Sequence, residues 1–162
     1  MAVAKNLQKY LKENRVSYKA ARHKVAYTAQ EIAAAQHVPG KQLVKSVLVK
    51  TGKDFSIAVL PAIYLIDFKA LKKLSKAKSV SLAHEKDMAA VIPDYEPGAM
   101  PPFGNLYNLP VYVEKSLTEG KEIVFNAGSH TDTIKMKYKD FEKLAKPKVG
   151  NFGKHVSKAK RR

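Results

Sequence analysis

Lys45 stands in an apolar run, Leu43-Val44-Lys45-Ser46-Val47-Leu48-Val49, that reads as a strand, and a period of two puts it on one face with Val47 and Val49. A strand lysine ordinarily lays its stem along the sheet and places its ammonium in water. The flanking valines leave open a second reading, in which the stem is held in place and the ammonium, charged at neutral pH, is an electrostatic anchor for a phosphate or another polar group rather than a base. Two small-residue loops supply a candidate pocket wall: Gly98-Ala99-Met100-Pro101-Pro102-Phe103-Gly104, and Asn126-Ala127-Gly128-Ser129-His130 after the strand-like run Glu122 to Phe125. Glycine lets a backbone approach a ligand closely, and proline stiffens the loop that carries it.

Ser129 and His130 do not make a serine-histidine nucleophile. Neighbours on an extended chain point to opposite sides, and the Gly-x-Ser-x-Gly elbow is missing from the sequence. His130 is read as a bond to substrate or water, or as a size discriminator, against the plainer reading of a hydrogen-bonded turn histidine. The backbone donor of Gly128 can face a developing oxyanion. A phosphate-binding loop is a poor fit to Gly98 to Gly104, because the Gly-x-x-x-x-Gly-Lys-Ser/Thr pattern is absent and two adjacent prolines remove donors. His23, His37, His84 and His155 lack paired metal-ligand spacing, so no metal is expected.

These residues, together with Tyr27-Thr28-Ala29-Gln30-Glu31, resemble the YbaK/EbsC family, the prolyl-tRNA synthetase-associated editing domains that hydrolyse wrongly charged aminoacyl-tRNA. The likeness extends to about Phe152. It implies an α+β fold with a curved, partly barrel-like mixed sheet flanked by helices, and a trans-acting deacylase for small mischarged residues such as Ala, Ser, Thr or Cys. It also implies no cofactor. The reacting centre would hold Lys45, Gly98, Gly128 and His130, with substrate contacts from His23, Tyr27, Pro101, Phe103, Gly104, Asn126 and Ser129. Some members of the family carry a glycine-rich turn without histidine where this chain has Ser129-His130. Implied partners are the 3′ aminoacyl end of mischarged tRNA and, as a second candidate, a synthetase or elongation factor.

The elements that must position these groups follow from periodicity. Leu7, Tyr10 and Leu11 share a helical stripe, as do Phe68, Leu71 and Leu74, then Met88, Val91 and Ile92, then Tyr138, Phe141 and Leu144. Thr28 and Glu31 have the capping-box spacing of a short helix ending near His37. Leu43 to Lys50 and Phe55 to Pro61 form a hairpin about Thr51-Gly52-Lys53-Asp54. Further strands are expected at 80–82, 111–114, 122–126 and 133–137, the last with one basic face.

The 162 residues suit one domain over 1–152, followed by a basic tail over 153–162 that is read as mobile. Without cysteine, thiol catalysis and disulfides are excluded. An excess of 30 Lys and Arg over 14 Asp and Glu gives a formal charge of +16, which favours a polyanion held by counterion release. The first residues lack a secretory signal, and no apolar run is long enough to span a bilayer, so a cytoplasmic protein without a membrane partner is expected. The competing reading is a nonenzymatic tRNA- or RNA-binding module. It rests on charge alone, since no aromatic stacking motif accompanies it. A regulator that binds free amino acid or a protein partner is a third reading.

Overall fold

Short apolar runs draw this chain into ten strands among the described residues, with four helices packed on them. The computed structural model describes residues 5–22, 43–92, 100–128 and 132–155. In chain order these hold α1 (Lys5–Glu13), β1 (Tyr18–Arg22), β2 (Leu43–Thr51), β3 (Asp54–Pro61), β4 (Tyr64–Ile66), α2 (Phe68–Ser75), β5 (Val80–Leu82) and α3 (Glu85–Val91). There follow β6 (Val111–Glu114), β7 (Glu122–Asn126), β8 (Asp132–Lys137), α4 (Tyr138–Ala145), β9 (Lys148–Gly150) and β10 (Gly153–His155), with single 3-10 turns at Gly104–Tyr107 and Lys115–Glu119. The short helix expected to end near His37 lies outside the described residues.

The hairpin of β2 and β3 is the centre of the sheet. Gly52 turns the chain with φ +68°, a left-handed conformation that costs glycine little, and the strands pair antiparallel from Thr51–Asp54 to Val44–Pro61. Around them the strand order is β1-β8-β7-β2-β3-β6-β9, with β5 also paired to β2, while β4 and β10 form a separate pair. The β2–β7, β3–β6 and β6–β9 pairs are parallel and the others antiparallel, so the sheet is mixed. The expected α+β class holds.

Both faces of the sheet are packed. On one, α1 contributes Leu7 and Leu11, and α4 contributes Tyr138 and Phe141, to a core with Val44, Leu48, Ile57 and Phe125. On the other, Leu71 of α2 joins Val49, Ala58, Leu60 and Phe152. Local signals start the helices: Asp67 caps α2 by accepting from the backbone N of Lys69 and Ala70, and Asp87 accepts from the His84 backbone N ahead of α3.

The boundary expected at residue 152 is too early. Gly153–His155 pairs antiparallel with β4, and the buried carboxylate of Glu114 accepts from the backbone N of both Phe152 and Gly153 at 2.7 Å. A Cβ on Gly153 would sit 2.6 Å from Tyr64 Cδ2, so glycine is what lets this strand close against its neighbour. Residues 156–162 lie outside the described residues.

Candidate active site

Lys45 lies where two partner strands diverge. One edge of β2 is paired with β3 along its length, but the other edge is shared. There β7 pairs with Leu43 and Val44, and β5 with Val49 to Thr51. Among the described strands, Lys45, Ser46 and Val47 therefore face an opening in the ladder. Because Val44 pairs with Phe125 in the parallel β2–β7 register, Lys45 and Asn126 are the next residues on adjacent strands. Asn126 in turn pairs with Thr133 of β8.

The Lys45 side chain is half-buried. It lies directly across from Leu60, in the register that also sets Val47 opposite Ala58, so the shared face expected for Lys45 and Val47 is the one covered by α2. Burial pulls its ammonium below the usual lysine value of 10.5, since a desolvated charge is disfavoured. No carboxylate among the described residues forms an ion pair with it. A half-buried cation without an ion-pair partner among the described residues can take an anionic or strongly polar group.

Two further polar atoms are unsatisfied, on opposite faces of the sheet: Asn126, next to Lys45 in the β2–β7 register, alternates with Phe125 and shares the Lys45 face, whereas Ser46 falls with Val44 and Leu48 on the face of α1 and α4. The Asn126 Oδ1 and the Ser46 Oγ are buried without a hydrogen-bond partner among the described residues. Buried polar groups are nearly always paired, and an exception calls for an explanation.

The turn after β7 is held by the Ala127 backbone N donating to the Asp132 carbonyl at 2.9 Å. Gly128 follows, buried and with φ +101°, a conformation that side chains rarely adopt. The second loop is fixed from beneath. Met100, Pro101, Pro102, Phe103 and Gly104 are all buried, and the Phe103 ring meets Tyr10, Phe125 and Phe141 edge-on at 5.8, 5.8 and 5.6 Å. Phe103, expected to touch substrate, is thus enclosed by the core. It clamps the loop to Phe125, the residue before Asn126. Gly104 has a packing reason as well: a Cβ would lie 2.8 Å from both the Leu109 carbonyl O and Val111 Cγ2. Gly104→Ala is expected to cost about 1–3 kcal/mol in a denaturant titration; an unchanged midpoint would contradict this packing.

His23, Tyr27, Gly98, Ser129 and His130, all expected at the site, lie outside the described residues. Of the remaining expected residues, the strand register sets Lys45 and Asn126 side by side with Gly128 two residues on, while Pro101 is buried in the loop that Phe103 packs into the core on the α1 and α4 face, opposite the face of Lys45. The expected basic face of β8 is divided: Thr133 is buried, Lys135 lies 3.5 Å from the Glu122 carboxylate, and Lys137 is exposed. Among the described residues no cluster of three potential metal ligands occurs, and no helix is long and apolar enough to cross a membrane.

Residues 23–144 match the family model described as an aminoacyl-tRNA editing domain. A protein of Enterococcus faecalis named "Putative Cys-tRNA(Pro)/Cys-tRNA(Cys) deacylase EbsC" is 27% identical over 127 residues, covering 70% of this chain and 77% of that protein. Among solved structures, one described as "a putative trans-editing enzyme for prolyl tRNA synthetase" aligns with a TM-score of 0.79 at 19% identity, over 92% of this chain and 95% of that one. A scaffold protein used for epitope backbone grafting aligns with a TM-score of 0.83 at 21% identity, over 94% and 97% of the two chains. At these identities the structural likeness establishes the fold.

Proposed function

Because the chain belongs to the aminoacyl-tRNA editing domain family, we propose that it is a deacylase acting in trans, in the cytoplasm, on tRNA mischarged with a small amino acid. The observation that carries this reading is the half-buried Lys45, without a carboxylate partner among the described residues, beside the unsatisfied amide oxygen of Asn126. In this reading Lys45 binds the phosphate or ribose of the terminal adenosine. Asn126 Oδ1 accepts from the α-ammonium of the aminoacyl group.

The reaction is ester hydrolysis. Water adds to the acyl carbon while backbone donors at Gly128 and Gly98 polarise the carbonyl oxygen. The bond from that carbon to the ribose oxygen then breaks, and the ribose oxygen takes a proton as the free amino acid leaves. A hydroxyl of the substrate ribose is the candidate group to orient the water. His23, Tyr27 and Ser129 complete the substrate wall in this proposal, with His130 limiting the size of the acyl side chain.

Alanine on tRNA(Pro) is the first substrate proposed, with cysteine, serine and threonine as further candidates. Exclusion by size is the economical device, because an apolar pocket distinguishes one methylene by only about 1–3 kcal/mol. A panel of alanyl-, seryl-, threonyl-, cysteinyl- and prolyl-tRNA tests the proposal. Hydrolysis of at least one small aminoacyl ester and sparing of cognate prolyl-tRNA are expected. Tight tRNA binding without hydrolysis of any member would favour the second reading, a nonenzymatic RNA-binding module, which the formal charge of +16 supports.

A further inference from the structure

The outer face of α2 carries Lys69, Lys72, Lys73 and, at its C-cap, Lys76. Their spacing of i, i+3, i+4 and i+7 puts all four on one stripe, and all four are exposed. Helix α2 contains no acidic residue, and none of the four forms an ion pair among the described residues. The one carboxylate at hand, Asp67, is occupied in capping the helix. Like charges at these separations oppose helix formation. The favourable interaction of cations with a helix C-terminus accounts for Lys72, Lys73 and Lys76, but not for Lys69 in the first turn.

The opposite side of α2 is already committed to the core. Leu71 is fully buried, and Phe68 and Leu74 pack against the cluster that includes Leu60. Leu60 is also the residue directly across from Lys45. The stripe therefore lies on the same side of the sheet as the candidate site, on an element that Leu71 seats against the neighbour of its key residue. No apolar face of α2 remains to enter a lipid surface, which an interfacial helix requires.

We propose that this lysine stripe is the surface that grips the RNA phosphate backbone of the substrate while the aminoacyl end occupies the site at Lys45. The inference rests on the reading of the substrate as tRNA. A row of exposed ammonium groups with no base-reading side chains fits a sequence-independent contact to phosphates.

The test compares K69Q/K72Q/K73Q/K76Q with a charge-matched control, K12Q/K139Q/K143Q/K146Q, which removes exposed lysines from α1, α4 and its C-cap on the opposite side of the sheet. Binding of uncharged tRNA is measured by fluorescence anisotropy across a salt series. The stripe variant is expected to lose at least about tenfold in affinity at 0.1 M salt, and its log–log salt slope should fall by roughly three. The control should lose much less. Hydrolysis of an aminoacyl-adenosine ester, too small to reach the stripe, should be unchanged in both variants.

Equal losses in the two variants would overturn the proposal in favour of diffuse attraction. So would intact tRNA binding with reduced binding to phosphatidylserine vesicles. Lysine acylation of the wild-type protein with and without tRNA gives the same answer should the variants fold poorly: selective protection of Lys69, Lys72, Lys73 and Lys76 supports the stripe, and its absence overturns it. Failure of the deacylase reading is separately visible, as loss of all ester hydrolysis while stripe-dependent tRNA binding persists.

Discussion

Lys45→Met should lower kcat/KM for a mischarged tRNA by about a hundredfold or more while leaving the melting temperature at or above that of the unaltered protein. The two effects have one cause. The ammonium is half-buried and unpaired among the described residues, so folding bears a desolvation cost that methionine, a flexible apolar side chain of similar reach, does not. Function retains what stability disfavours. A variant that lost both stability and activity would assign Lys45 to the fold instead.

The pH dependence of this difference has a definite sign. Burial depresses the folded-state pKa of Lys45 below 10.5. At pH values below the depressed pKa both folded and unfolded states are protonated, and the desolvation cost is present in full. Between that pKa and 10.5 the unfolded state binds more protons, so the stability of the lysine protein rises with pH. The advantage of Lys45→Met should therefore shrink as the pH is raised through the alkaline range. Paired denaturation curves measure this with the other titrating groups cancelling, and an advantage that grew with pH would contradict the assignment.

Glu114→Ala is expected to destabilise the fold by about 3 kcal/mol, a fall in melting temperature on the order of 10 °C. Its carboxylate accepts from the backbone N of Ser116, Phe152 and Gly153 at 3.3, 2.7 and 2.7 Å. Removing it leaves buried donors without acceptors and frees the strand that ends at His155. Glu114→Gln can keep the two shorter bonds through its amide oxygen, and should lose much less. Hydrogen exchange at Phe152 and Gly153 should accelerate in the alanine variant, and unchanged exchange there would refute this anchoring. Activity measured well below the transition should respond little, because Glu114 belongs to the C-terminal closure and not to the opening at Lys45.

The sequence showed some of this clearly. The β2–β3 hairpin followed from two alternating runs about a glycine turn, and the four described helices from apolar stripes such as Tyr138, Phe141 and Leu144 that the structure buries or half-buries. Lys45 was marked by its setting among valines, consecutive in the chain, together with the family resemblance. What escaped was nonlocal. Strands β4, β9 and β10 have three residues each, too few for a period to emerge, and they exist only through partners distant in sequence. Glu114 reads as an ordinary strand-end acid until Phe152, 38 positions on, is brought to it. Phe103 was expected at the substrate from the family resemblance, whereas the aromatic rings that enclose it come from positions 10, 125 and 141. The opening beside Lys45 is likewise a property of three strands together, formed because β5 and β7 share one edge of β2 without meeting along it.

The most direct test is a crystal structure with a nonhydrolysable 3′-amide analogue of alanyl-adenosine. The account predicts the terminal nucleotide against the Lys45 amine, the α-ammonium at Asn126 Oδ1 and the acyl oxygen facing the backbone N of Gly128. An analogue bound elsewhere, with the Lys45 amine directed away from it into solvent, would contradict the account.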